Sequence, residues 1–308
     1  MSVVRAWNGI YPSLPTPFDA SGGIDLEGMR RVVRFALAAG SDGLLCSGLA
    51  GEVGRLTTSE RMRLCEAIIE ETDGAVPVLI GATAENLAVS RALAGHAERA
   101  GASGIVLPPP SGYHVSSAHL IEYFAAVAEK TTLPVLVQDA PEYLSVTVGP
   151  AAVIAAAERA PNICGVKLET GAEGIEAWRA QLGENFRVFG GDGGLFMLDV
   201  LRAGAHGIMP GVDTVDLLVA IARAERNGRT READNAFHQI LPLLVFEMQS
   251  IDHYNACAKH VLRRRGVIEG TDLRLPGPVR LSAGSVERLE AYLESLGIAS
   301  VTDLVRAT

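Results

Sequence analysis

Cysteine is scarce and scattered. Cys46, Cys65, Cys164 and Cys257 are the four in 308 residues, and no two form a CxxC pair. That excludes a zinc-ribbon pattern and a disulfide framework, and leaves the thiols as small buried hydrophobes. Histidine has no ligand spacing either: there is no HExxH, and His253 and His260 lie seven apart, so no metal is expected. No block of basic residues occurs, and charges of both signs interleave to a net −9. That composition argues against nucleic-acid and anionic-membrane partners. No apolar run reaches the roughly 18 residues that span a bilayer. Met1–Trp7 lacks a basic stretch followed by an apolar one, so no signal peptide is expected. No GxGxxG follows the first apolar run, and no low-complexity linker interrupts the chain. The expectation is a cytoplasmic enzyme or binding protein for a small molecule, with ample core at 48% hydrophobic residues.

What is present is alternation. Short apolar runs predict strands at 10–15, 43–46, 76–80, 104–107, 133–138, 164–168, 186–189 and 206–209. Amphipathic segments between them predict helices at 25–39, 58–71, 85–100, 118–131, 151–159, 174–181, 195–203 and 215–227. Thr58 or Ser59 is the expected cap of the second helix, with Glu60 in its first turn. Regular βα alternation means parallel strands joined by helices. Eight units are the number that closes a (β/α)8 TIM barrel, here over residues 1–230. An open doubly wound sheet is the alternative, without its usual glycine fingerprint. Residues 231–308 lose the strands. They predict a three-helix C-terminal extension at 231–249, 255–265 and 285–296, with Pro276 and Pro278 in the connection before the last helix.

In such a barrel the chemistry sits at the C-terminal ends of the strands. The sixth strand carries Cys164, Val166 and Leu168 on one face, and Lys167 and Glu169 on the other. A lysine in an apolar strand is pushed toward its neutral form, which can condense with a ketone to a Schiff base. The same pair also fits a plain structural ion pair. The other strand ends supply Thr16, the loop Gly48–Leu49–Ala50–Gly51–Glu52, Gln138–Asp139–Ala140–Pro141, Gly190–Gly191–Asp192 and Met209. Gly48 and Gly51 allow a tight turn whose amides converge on a carboxylate. Candidate substrate-binding residues are therefore Thr16, Gly48, Leu49, Ala50, Gly191 and Met209. Candidate catalytic residues beside Lys167 are Glu169, for acid–base work, and Gln138, which can donate to a hydroxyl or position a water. Asp139, facing away from Gln138, and His206, at the start of the eighth strand, are expected to be structural.

Taken together, Thr16–Pro17–Phe18, Gly48–Glu52, Gly165–Val166–Lys167, Gly191–Asp192, Asn255–Lys259 and Leu275–Pro278 resemble the dihydrodipicolinate synthase / N-acetylneuraminate lyase family of class I aldolases. The Asn255 segment looks like the family's N-P-x-x-x-K. The resemblance covers the whole chain. It implies Lys167 as the Schiff-base lysine, no separate cofactor, a 2-oxo acid substrate and a homotetramer built as a dimer of dimers. Departures from the pattern are equally specific. The hydroxyl pair of the strand-2 loop is replaced by Leu49 and Ala50. The strand-5 tyrosine of Y-N-x-P is replaced in Gln138–Pro141, and the arginine two residues on by Tyr143. Against that pattern Tyr143, with Tyr113 as a second phenol, is the candidate catalytic residue to replace the missing tyrosine. Pro108–Pro110 replaces the paired tyrosines after strand 4. These residues look more like the 2-keto-3-deoxy sugar acid dehydratase and aldolase branch than a dihydrodipicolinate synthase. That synthase and a non-catalytic 2-oxo acid-binding regulator are the alternatives.

Overall fold

Eight parallel strands form one ring-like sheet in the computed structural model, which describes residues 6–112, 114–276 and 280–298. They are β1 (Gly9–Ile10), β2 (Leu44–Cys46), β3 (Val78–Gly81), β4 (Gly104–Leu107), β5 (Val135–Asp139), β6 (Ile163–Leu168), β7 (Arg187–Gly190) and β8 (Gly207–Ile208). The order is β1-β8-β7-β6-β5-β4-β3-β2. The ring closes through the segment after β1. Leu45 N donates to Pro12 O and Leu14 N to Leu45 O, both at 2.9 Å, while Ser13 N donates to Pro210 O at 2.8 Å. β1 is much shorter than the apolar run 10–15 predicts, because Pro12 and Pro15 have no N–H for a ladder.

Both faces of the strands are buried, as a parallel sheet requires. Tyr11, Leu45, Leu79, Val106, Leu136, Phe189 and Met209 fill the barrel, with Trp7 among them. Tyr11 and Phe189 meet edge to face at 5.2 Å. Side chains of the opposite parity meet the surrounding helices α1 (Leu26–Ala38), α2 (Thr58–Thr72), α3 (Leu87–Ala100), α4 (Ser117–Ala128), α5 (Pro141–Leu144), α6 (Pro150–Arg159), α7 (Ala172–Leu182), α8 (Met197–Arg202) and α9 (Val215–Arg226). The cap of α2 is Thr57, not Thr58 or Ser59. Thr57 and Glu60 form a reciprocal capping box, a device whose cap alone is worth about 1 kcal/mol.

Alternation fails at one place on β6. Val166 and Leu168 face the helices, but Cys164 packs against the barrel-filling cluster. The register explains it: Val135 pairs with Ile163 and Leu136 with Gly165, so the ladder carries an extra residue at 164. Beyond that bulge the register is regular, and Gln138, Lys167 and Phe189 stand side by side on β5, β6 and β7.

Three helices follow the barrel: α10 (Thr230–Glu247), α11 (Ile251–Arg264) and α12 (Ala283–Ser295). Leu243, Phe246, Cys257, Val261, Leu289, Leu293 and Ile298 form their shared core. Ala233, Phe237, Ile240, Leu244 and Leu262 join the core of the barrel itself. α11 starts at Ile251, one turn before the predicted 255, with Ser250 as its cap. Tyr113 and Pro278 lie outside the described residues.

Candidate active site

A cleft of about 410 Å³ of atom-free space opens at the C-terminal end of the barrel. Lys167 and Glu169 rise into it from β6, on the same side of the strand. Both are largely buried, at 6% and 9% exposure. Lys167 Nζ is ion-paired with Glu169 Oε1. Gln138 Nε2 donates to the same carboxylate oxygen at 2.9 Å. Asp192 N donates to Glu169 Oε2. Gly191 makes room for this arrangement: a Cβ there would stand 1.9 Å from Glu169 Oε2.

Tyr143 enters the cleft from α5, a single turn too short for any apolar periodicity to predict. Pro141 opens the turn, where a missing N–H costs nothing, and Ser145 ends it in the left-handed region. Tyr143 Oη donates to Asp192 Oδ1 at 2.9 Å. Burial and the Asp192 carboxylate hold the Tyr143 phenol above its ordinary range. Burial and nearby Glu169 raise Asp192 to about 6.

Leu49, Ala50 and Met209 also line the cleft. Leu49–Gly51 is a 3-10 turn, whose first amides have no carbonyl partner within it. Thr16 and Gly48 serve this turn from behind. Thr16 Oγ1 donates to Gly51 O at 2.7 Å, and a Cβ on Gly48 would lie 2.8 Å from Ser13 Oγ. Glu52 leaves the turn at φ 54° and is tied to Lys259 at 2.5 Å.

The predicted residues Lys167, Glu169, Gln138 and Tyr143 are thus joined in one hydrogen-bonded group through Asp192. Leu49, Ala50 and Met209 share their cleft, while Thr16, Gly48 and Gly191 support it. Asp139 points away and accepts from Val148 N at 3.0 Å. His206 accepts from Val188 N at 3.0 Å, away from the cleft, and burial takes it down to about 4.

Of the lining residues outside the predicted set, two have polar side chains. Ser13 is buried at 6%, and its hydroxyl has no partner among the described residues. Its signal was parity, since Tyr11 two residues earlier points into the barrel. Tyr254 is the other. Asn255–Lys259 is one residue shorter than N-P-x-x-x-K, so anchoring on Lys259 puts Tyr254 at the motif's first position.

Comparisons with known proteins bear on the family and the fold. Residues 6–295 match the model of the dihydrodipicolinate synthetase family. The 4-hydroxy-tetrahydrodipicolinate synthase of Bacillus subtilis is 28% identical over 277 residues, 88% of this chain and 93% of that protein. The L-2-keto-3-deoxyarabonate dehydratase of Azospirillum brasilense is 31% identical over 276 residues, 88% of each chain. The crystal structure of Escherichia coli YagE in complex with pyruvate superimposes with a TM-score of 0.88 at 29% identity, over 96% of this chain and 100% of that one. The chain belongs to the dihydrodipicolinate synthetase family, and with it to the lyases.

Proposed function

We propose that this lyase acts on a 2-keto-3-deoxy sugar acid through an iminium and enamine on Lys167, and that it expels the C4 hydroxyl as water. The observation that carries the reading is the Glu169 carboxylate against Lys167 Nζ. Neutral Lys167 attacks C2 of the 2-oxo acid and loses water to form the iminium, which acidifies the C3 protons. C3 is two bonds from Nζ, so a carboxylate in contact with Nζ reaches its proton. Retro-aldol cleavage instead needs a base at the C4 hydroxyl, farther from Glu169. The covalent link to Lys167 serves in place of a cofactor. The Leu49 and Ala50 amides and the Ser13 hydroxyl are the groups offered to the substrate carboxylate.

The cleft's charges favour this substrate over aspartate semialdehyde. Among the described residues lining it, only Lys167 and Glu169 are charged, and Lys167 is consumed as the imine. No cation is left for a second carboxylate, and position 143 is tyrosine. A homotetramer, as the family resemblance implies, completes the proposal, and light scattering tests it.

The protein is incubated with pyruvate or with a 2-keto-3-deoxy pentonate, reduced with borohydride, and the adduct mapped by mass spectrometry. The expected result is an adduct on Lys167 that is absent in Lys167→Ala. A folded protein that traps neither ligand refutes the reading. Aldehyde and pyruvate among the products, in place of water loss, would mean cleavage.

A further inference from the structure

Expelling the C4 hydroxyl requires an acid, and Glu169 is occupied as the base at C3. On that reading of the reaction, the far wall of the cleft holds the missing group. β2 stands opposite β6 in the eight-stranded ring, and Tyr254 packs beside the loop that follows β2, against Ala50 and Ala258. Its hydroxyl lies against Gly211, another lining residue, where a Cβ would come within 2.1 Å of it. It donates to Asp213 Oδ1 at 2.8 Å and is bonded to the Val212 backbone.

Behind Asp213 stands Glu247, hydrogen-bonded to it, and each residue is 1% exposed. Two carboxyls in contact inside a protein share one proton, because ionising both at once is strongly disfavoured. Asp213 Oδ2 and Glu247 Oε1 are buried and have no hydrogen-bond donor among the described residues. The remaining ionisable groups acting on the pair do not neutralise it. Arg265 is held by Asp216 at 3.0 Å, and Cys257 is a buried thiol. A structural role for this cluster has an obvious cheaper form, since apolar side chains of similar volume would fill the same space without the desolvation cost.

We propose that Tyr254 is the acid that protonates the departing C4 hydroxyl, and that Asp213 and Glu247 are the buried store that reprotonates it. In the step, Glu169 takes the C3 proton as the C4–O bond breaks. The Tyr254 O–H proton passes to the leaving oxygen and completes a water molecule. The one proton that the pair shares then passes through Asp213 to Tyr254, and the pair takes up a proton from solvent before the next turnover. Burial and the carboxyls hold the Tyr254 phenol far above its ordinary range, so it enters the step protonated.

Tyr254→Phe keeps the ring and removes the hydroxyl. Turnover of a 2-keto-3-deoxy pentonate is expected to fall about 100-fold or more in kcat, with KM within about threefold of wild type. The borohydride-trapped Lys167 adduct with pyruvate is expected to form as in wild type. A kcat within about threefold of wild type overturns the proposal. A wild type that forms no Lys167 adduct refutes the reaction itself and this inference with it, so the two failures are distinct. Glu247→Gln tests the store without touching the cleft. The infrared carbonyl stretch of a neutral carboxylic acid is expected in wild type at pH 8 and absent in this variant. No such band in wild type, or one that survives the substitution, overturns the stored proton even if Tyr254→Phe does not fold.

Discussion

Two buried lysine–glutamate pairs lie among the described residues, and they differ in how completely each lysine is used. Lys259 and Glu52 have no exposed side-chain surface. Lys259 Nζ donates to Glu52 at 2.5 Å and to Asp272 O at 2.7 Å, and faces the Phe18 ring at 4.2 Å. The second oxygen of Glu52 accepts from Arg55 at 3.3 Å and from Arg274 N at 3.2 Å. Every direction around that ammonium is engaged. Lys167 has one partner among the described residues, Glu169, and otherwise faces the cleft. A buried Lys–Glu pair is thus not a mark of chemistry. The unspent valence beside an open space is.

Breaking each pair in turn tests that contrast. Lys167→Met is expected to lower turnover on the order of 10⁴-fold or more while the denaturation midpoint moves little. Lys259→Met is expected to cost about 3–5 kcal/mol of stability, read by urea unfolding, because it strands a buried carboxylate. Its borohydride adduct should still form at temperatures where it is folded. If the two variants exchange these phenotypes, the contrast is wrong.

Glu169→Gln sharpens the comparison from the acid side. It keeps the shape and removes the base, so kcat should fall about 10²- to 10³-fold while Lys167 remains trappable. The smallest effect belongs to Asp192. Its carboxyl is raised from 3.8 to about 6 by burial and Glu169. A raised folded-state value contributes stability that is full below pH 3.8 and lost as pH rises through about 6. Asp192→Asn retains an acceptor for Tyr143 and tolerates φ 51°. It should therefore be more stable than wild type above pH 6, by at most about 3 kcal/mol, with the gain vanishing near pH 4. Thermal unfolding across pH 4–7 reads this directly.

Where the sequence was legible, the reason is periodicity. A two-residue repeat was enough to put Lys167 and Glu169 on one side of β6, and eight apolar runs were enough to imply the ring. Where it failed, a local rule was overridden. The bulge at Cys164 has no signature in the apolar run around it. β1 was truncated by its own prolines, which the run of apolar residues concealed. Tyr143 depended on a four-residue helix shorter than any periodicity window. Tyr254, Asp213 and Glu247 come from three separate segments, and only folding makes them neighbours.

The tie between Glu52 and Lys259 also sets an order of events. The partners are 207 residues apart, and the cleft's upper wall, with Met248, Ile251 and Tyr254, comes from the same late stretch of chain. A nascent polypeptide on the ribosome can complete all eight strands and still hold an unfinished site. The loop at Leu49–Gly51 receives its anchor only when the last quarter of the message has been read. Premature termination after β8 would therefore yield a barrel with its lysine in place and no room shaped around it.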